Sequence, residues 1–435
     1  MKMIHSNAAG IDVGSRSHFV SVGQQESDVR EFGVYTRDYL EMIAWLHHMG
    51  ITHVAMESTG SYWQTLFTAL QVAGFEVLLV NGNQTKNVRG KTDVKDCQWI
   101  QKLHSLGLLS GSFLPSTNVQ RMKDINRHRD SLIRDAGKYI NRMQKALRSM
   151  NVRLDVAISD ITGKSGIRII EAIINGQFDP KELAELADRR VKISQEELAA
   201  ALTGQWNQQQ ISNLKDCYNI YKVLQVTIVH CEQQIQVLLE DSTKHIQPVD
   251  ASTLTKKQRP GKNQPNINLS TLSYAYYGVD LLAIPSVSYS SVLTLISEVG
   301  NDIHKFETAK QFISWLRLAP NNKISGGKVI SSRTPKGKGF LTMSLRNAAN
   351  TIGNSKEGPL VAFFKRIAFK KGRGAAITAT ARKIAVIIYN MITRKEEYKP
   401  IPQKIQDEKV KRRILAKTEK RLRNMGFSNI SISAV

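Results

Sequence analysis

Cysteine is scarce in this chain. Cys97, Cys217 and Cys231 are its whole complement in 435 residues, an odd number at spacings that match no zinc motif. No disulfide is expected, and a reducing compartment is the economical inference. Long apolar runs are missing as well: no stretch is expected to reach the roughly 18 residues of a membrane span. The opening MKMIHSNAAG has no apolar signal core. A cytoplasmic protein with no membrane partner is therefore expected. Acids are few beside the bases, 37 against 61, which leaves a formal net charge of +24. Such an excess calls for a polyanion, nucleic acid first, while a hydrophobic fraction of 41% excludes wholesale disorder. No internal repeat is visible.

The charge is unevenly placed. Residues 1–115 hold 9 Lys and Arg against 10 Asp and Glu, so the entire excess lies in the remaining 320 residues. Length alone predicts two or three domains. In the first of them AAGIDVG reads as a short buried strand, HFVSVG and REFGVY as half-buried strands, and residues 38–49 as a helix. THVAME is a further strand, YWQTLFTALQVAG a helix ended by Gly74, EVLLV a strand, and 93–106 a helix. The order β-β-β-α-β-α-β-α is the one a ribonuclease-H-like α/β fold requires.

Four acids stand out against that pattern. Asp12 interrupts an apolar strand, Glu57 closes the strand VAME, and Asp93 and Asp96 are three residues apart on one helix face. Helix capping is the plain explanation of the last two. If the first and fourth strands are neighbours, however, four carboxylates converge, and such a cluster without a cation would force up at least one pKa. Oxygen-only ligands suit Mg²⁺ or Mn²⁺, which serve phosphoryl transfer. GIDVG alone is weak, because a strand–Asp–x–Gly turn also opens the phosphate loop of sugar kinases and actin-like ATPases. That alternative leaves Glu57, Asp93 and Asp96 unexplained.

The segments GIDVGSRSHFVSV, AMESTGSYWQTLFTALQVAGFEVLLVN, KTDVKDCQWIQKL and LAPNNKISGGKV resemble the DEDD-type insertion-sequence transposases of the IS one-ten family. The similarity runs from about residue 8 to about 395 and includes a middle stretch, SDITGKSGIRIIEAIINGQFDPKELAELADRR. Gly82 departs from a common Pro, and Cys97 from a common Ala. The resemblance implies a RuvC-like domain in which Asp12, Glu57, Asp93 and Asp96 hold Mg²⁺. It implies a C-terminal transposase domain in which Ser325, in KISGGK, attacks a DNA phosphate to give a covalent phosphoserine–DNA intermediate. It further implies donor and target DNA, a structured noncoding bridge RNA that pairs with both, and a homo-oligomer, dimer to tetramer.

Around Ser325, Gly326 and Gly327 permit close backbone approach, and Lys323, Lys328, Arg333, Lys336 and Lys338 are candidates to hold phosphates. An ordinary turn is the plain reading of SGG. Residues 118–150 and 208–240 carry apolar stripes that step by threes and fours, as in a coiled-coil pair. The first arm adds Arg121, Lys123, Arg127, Arg129, Arg134, Lys138, Arg142, Lys145 and Arg148 on its other faces. Asp130, Asp135 and Asp124 do not balance them, so contact with an RNA or DNA backbone is expected.

The expected organisation is therefore a RuvC-like catalytic domain at 1–115, basic helical arms with an inserted helical segment at 116–240, and a flexible basic linker at 241–275. A mainly helical transposase domain follows at 276–395, then a basic tail at 396–435. In that domain LLAIPSVSYSSVLTLISEVG resembles the family's helix–turn–helix, with Ser286 and Ser288 in place of its usual glycines. The expected activity is that of a DNA transposase or recombinase. Two rivals stay open: a metal-dependent junction nuclease without serine chemistry, and a nucleic-acid-binding protein without catalysis. The ten histidines are scattered and read as packing residues.

Overall fold

The computed structural model describes residues 3–85, 92–247, 250, 252–255, 261, 263–337, 339–400 and 403–426. Two compact units divide the chain, Met1–Leu114 and Pro115–Val435.

The first unit is a mixed α/β sheet domain. Its strands are β1 (Ala8–Val13), β2 (His18–Ser21), β3 (Val29–Phe32), β4 (His53–Glu57) and β5 (Glu76–Val80). The helices are α1 (Thr36–His48), α2 (Trp63–Val72), α3 (Gly82–Thr85) and α4 (Asp93–Ser105). The strands order as β3-β2-β1-β4-β5, with β1, β2 and β3 antiparallel and β1, β4 and β5 parallel. Strand alternation decides which side each residue serves. Ala9, Ile11 and Val13 of β1, with Val54 and Met56 of β4, join Met42 and Leu46 of α1 and Leu66 and Leu70 of α2 in one apolar core. Each of the larger side chains among them, Val, Ile, Leu or Met, stabilises the fold by about 1.5–3 kcal/mol. Gly10 and Ala55 are register partners on the opposite side, which α4 covers.

The second unit is mostly helical. α5 (Thr117–Ser149) and α10 (Gln208–Thr243) run along each other, with α6 (Leu154–Ala157), α7 (Lys164–Ile174), α8 (Pro180–Glu185) and α9 (Gln195–Leu202) between them in sequence. Met143, Leu147, Ile169, Ile173, Leu214 and Tyr218 share a core there. α11 (Leu269–Tyr277), α12 (Tyr289–Glu298) and α13 (Ala309–Trp315) follow. A hairpin comes next, β6 (Lys323–Ser325) and β7 (Lys328–Ser331), then α14 (Phe340–Asn354), α15 (Pro359–Lys371), α16 (Arg373–Arg394) and α17 (Gln403–Asn424).

Two sequence expectations change here. α16 is long and apolar enough to cross a membrane by length and composition, contrary to the expected absence of such a run. Half of that window is buried, because Ala381, Ile384, Ala385 and Ile388 pack into the helical core. The stretch 241–275, expected to be a flexible linker, has anchored parts. The Asn263 carbonyl accepts a bond from Arg129, the Asn266 N–H donates to Glu232, and α11 begins at Leu269. Ser286 sits at φ 63°, a left-handed conformation that favours glycine, and Ser288 caps α12 by accepting from the Ser291 N–H.

Candidate functional site

In the first unit the acids are positioned by strand ends and one helix start. The parallel pairing of β1 with β4 matches Gly10 to Ala55 and Ile11 to Met56. Asp12 and Glu57 are therefore the next residues on adjacent strands, both on the α4 side because each lies two residues beyond that Gly–Ala pair. α4 presses closely on β1: a Cβ on Gly10 would lie 2.5 Å from the Cys97 carbonyl oxygen. Cys97 follows Asp96 directly, and its thiol is pushed up to about 12, first by burial and also by the nearby charges of Asp12 and Asp96. The thiol stays protonated, and both carboxylates act on one buried spot.

Capping of α4 belongs to Thr92, whose hydroxyl accepts from the Lys95 N–H at 3.3 Å. Asp93 and Asp96 stand in that first turn as acids facing the positive end of the helix, with Asp93 exposed and Asp96 half-buried. The capping explanation of the pair is thereby supplied by another residue. Glu57 is held from below: the Thr85 hydroxyl donates to its Oε2 at 2.8 Å, and Gly82 leaves the space its other oxygen occupies. Nothing in the sequence around Thr85 marks it for this task.

Asp12 and Glu57 thus share one side of the sheet, and Asp93 and Asp96 share the first turn of the helix that covers it. Among the described residues no three His, Cys, Asp or Glu side chains are close enough to hold a metal ion. Their donor chemistry, carboxylate oxygen alone, is that of a Mg²⁺ or Mn²⁺ site rather than a zinc site.

In the second unit Ser325 is the last residue of β6, exposed and paired with Lys328 across a two-residue turn. Gly326 and Gly327 have φ 54° and 73°. A two-residue type I′ hairpin turn requires positive φ at both central positions, so the hairpin itself accounts for both glycines. Lys323, Lys328, Arg333 and Lys336 are exposed on or beside this hairpin, and Lys338 lies outside the described residues.

The basic side chains of α5 divide by environment. Arg129 is corrected out of the phosphate-binding set: it is 2% exposed, and its guanidinium donates to Glu232 at 2.8 Å. Arg127 makes a bidentate pair with Glu298, at 2.8 and 2.9 Å, and lies over the Phe340 ring. Lys123 is half-buried and its pKa is lowered by burial. Lys138 pairs with Asp135 at the surface. Arg121, Arg134 and Arg142 are exposed, with Arg142 over Tyr139.

Comparison with known proteins adds three findings. A family model described as a transposase matches residues 9–152, the span that contains all four acids. A second, described as the transposase IS116/IS110/IS902 family, matches residues 280–364, which contain the Ser325 hairpin. A curated relative, the transposase for insertion sequence element IS1111A of Coxiella burnetii, is 30% identical over 121 residues, 27% of this chain. The match spans about a third of that relative's length, 33%.

Proposed function

The chain belongs to the IS110 family of transposases, and on that premise we propose that it cuts and rejoins DNA strands to excise and insert a mobile element. One observation carries the reading: Asp12 and Glu57 leave adjacent parallel strands on the side covered by α4, whose first turn brings Asp93 and Asp96. The strand order supports a ribonuclease-H-like, RuvC-type domain. Asp12, Glu57, Asp93 and Asp96 would hold Mg²⁺, which when bound supplies charge stabilisation at a phosphate.

Ser325 is the proposed nucleophile. Its oxygen forms a bond to phosphorus as one DNA oxygen departs with the bonding pair and takes up a proton, while the serine proton passes to a base. The resulting phosphoserine diester keeps the energy of the broken bond for rejoining. Lys323 and Lys328 flank the hydroxyl on the same hairpin and are suited to grip the phosphate. Ile324, Val329 and Ile330 are 62%, 58% and 71% exposed on this hairpin. Two isolated strands are marginal in water, which supports a reaction that waits for a partner surface to cover them.

The partners proposed are donor and target DNA, a bridge RNA that selects them by base pairing, and further copies of the chain, dimer to tetramer. Exposed Arg121, Arg134 and Arg142 on α5 suit a nucleic-acid backbone. The test is a denaturing-gel assay for protein–DNA adduct with element-junction DNA, flanking RNA and Mg²⁺. An adduct lost in Ser325→Ala and in Asp12→Asn is expected. A second reading, a junction nuclease, is favoured by the turn's own demand for Gly326 and Gly327. It would stand if cutting occurs without adduct and survives Ser325→Ala.

A further inference from the structure

A second chemical environment lies in the helical unit, apart from the hairpin tip. On α15, Phe363, Ile367 and Lys371 are four residues apart and share one face. α16 offers Ala375, Ala379, Arg382 and Val386 to the same space, and the small side chains among them leave a cleft of about 850 Å³. The third wall is the chain that follows β7, Ser332, Arg333 and Thr334. The cleft thus opens at the root of the hairpin, roughly 15 Å from Ser325 by strand rise.

Its chemistry is two-sided. The floor is aliphatic and aromatic, while Arg333, Lys371, Arg382 and Lys383 bring four positive charges and no acid lines it among the described residues. None of these four is in an ion pair with a described residue, so the fold does not consume their charge. Arg333, Lys371 and Arg382 are exposed at the rim, whereas Lys383 is half-buried, 4.7 Å from the Phe363 ring centre. Burial and then the neighbouring Arg366 lower the Lys383 pKa, a cost that a bound anion relieves. Apolar walls beneath a cationic rim match a nucleobase with its phosphates. The volume falls within the roughly 300–1,000 Å³ of small-ligand sites. A duplex, with its bases stacked inside, presents only phosphates to such a cleft; an unpaired base can enter it.

We propose that this cleft receives one unpaired nucleotide of the strand being processed, its base against Ile367, Ala379 and Val386 and its phosphates on Arg333, Lys371 and Arg382. The inference rests on the DNA-processing reading only for the source of the strand. Extruding a base costs a few kcal/mol, least where it is already unpaired, so the site would favour bulged and branched substrates over plain duplex.

The test uses full-length Ser325→Ala protein, which carries the cleft but lacks the proposed nucleophile. Its probe is a DNA duplex with a single bulged 2-aminopurine, and an RNA duplex with the same bulge forms the second arm. Binding is expected to raise the fluorescence of the DNA bulge several-fold as the base leaves the stack, and a rise confined to the RNA arm would show that the cleft does not hold the processed strand. Lys371→Glu with Arg382→Glu should weaken bulged-duplex binding tenfold or more and plain-duplex binding far less. Both are exposed, so their reversal leaves the fold intact. Ala379→Phe, which fills the cleft and keeps its charges, should abolish the fluorescence rise. No rise with the DNA bulge, or a rise there that survives both variants, overturns the proposal. Adduct formation by protein with Ser325 intact tests the recombinase reading by itself, so either can fail alone.

Discussion

Gly10 and Cys97 meet backbone to backbone. A Cβ on Gly10 would come within 2.5 Å of the Cys97 carbonyl oxygen and 2.2 Å of the Gln101 nitrogen, both part of α4. No side chain separates helix from strand there, and that closeness brings Asp96 to the strand that bears Asp12. Gly10→Ala must push α4 outward, because backbone cannot swing aside as a side-chain tip can. Overpacking of this kind costs about 1–3 kcal/mol. The expected outcome is a lower melting temperature together with loss of adduct formation. An alanine variant that melts and reacts like its parent would show that this approach does not set the acids.

Glu57 is steered by Thr85, through a 2.8 Å hydrogen bond within a buried neighbourhood where Thr85 is 7% exposed. Thr85→Val keeps the shape and removes the donor. Groups that orient a metal ligand are worth about 10–100-fold in affinity. Mn²⁺ binding followed by calorimetry should weaken by about tenfold in Thr85→Val and vanish in Asp12→Asn, with little change in unfolding midpoint for the former. Equal Mn²⁺ affinity in all three proteins would remove Glu57 and Asp12 from the ion's ligands.

Acid should destabilise the first unit through a histidine cluster. The His104 ring lies 5.0 Å from His5 and 6.4 Å from His53, and its Nε2 has no hydrogen-bond partner among the described residues. Burial, then the nearby His5 and His53, lower its pKa to about 4 from the usual 6.5. A base whose folded pKa lies below its unfolded value carries fewer protons when folded, so stability rises with pH across that window. It is lost as pH falls from about 6.5 toward 4, by on the order of 3 kcal/mol. His104→Leu should flatten the dependence measured by urea unfolding at pH 7 and pH 5. Some slope remains, since fully buried His18 is shifted in the same direction by burial. An unchanged slope would place the titration elsewhere.

Much of the first unit could be read from residue order because its strands alternate cleanly. Ile11 and Val13 point to one core, Asp12 to the other side, and the strand and helix order follows from such periods. The site was less legible. Asp12 and Glu57 become neighbours only through the β1–β4 register, and Thr85 contacts Glu57 across 28 residues with no local signal. The histidines looked scattered for the same reason: residues 5, 53 and 104 meet only in three dimensions. On α5 the basic stripe in the sequence hides a buried ion pair whose acid lies on α10, a partner that no local pattern shows.

That pair gives a test separating structure from recognition on one helix. Arg129 and Glu232 are 2% and 6% exposed, and the Asn263 carbonyl and Asn266 N–H complete their hydrogen bonds. Removing one partner strands a buried charge, at about 3–5 kcal/mol, whereas replacing both with apolar groups is often neutral. Arg129→Met should therefore lower stability sharply, and Arg129→Met with Glu232→Leu should recover most of it. Arg134 and Arg142 are exposed instead, and withdrawing one cation from a phosphate reduces the salt dependence of binding by about one unit of log–log slope. Arg134→Ala with Arg142→Ala is expected to leave the melting temperature unchanged while weakening RNA and DNA binding and flattening its salt dependence. If the exposed pair changes neither affinity nor slope, the outer face of α5 is only a solvated surface, and the polyanion must be held elsewhere in the second unit.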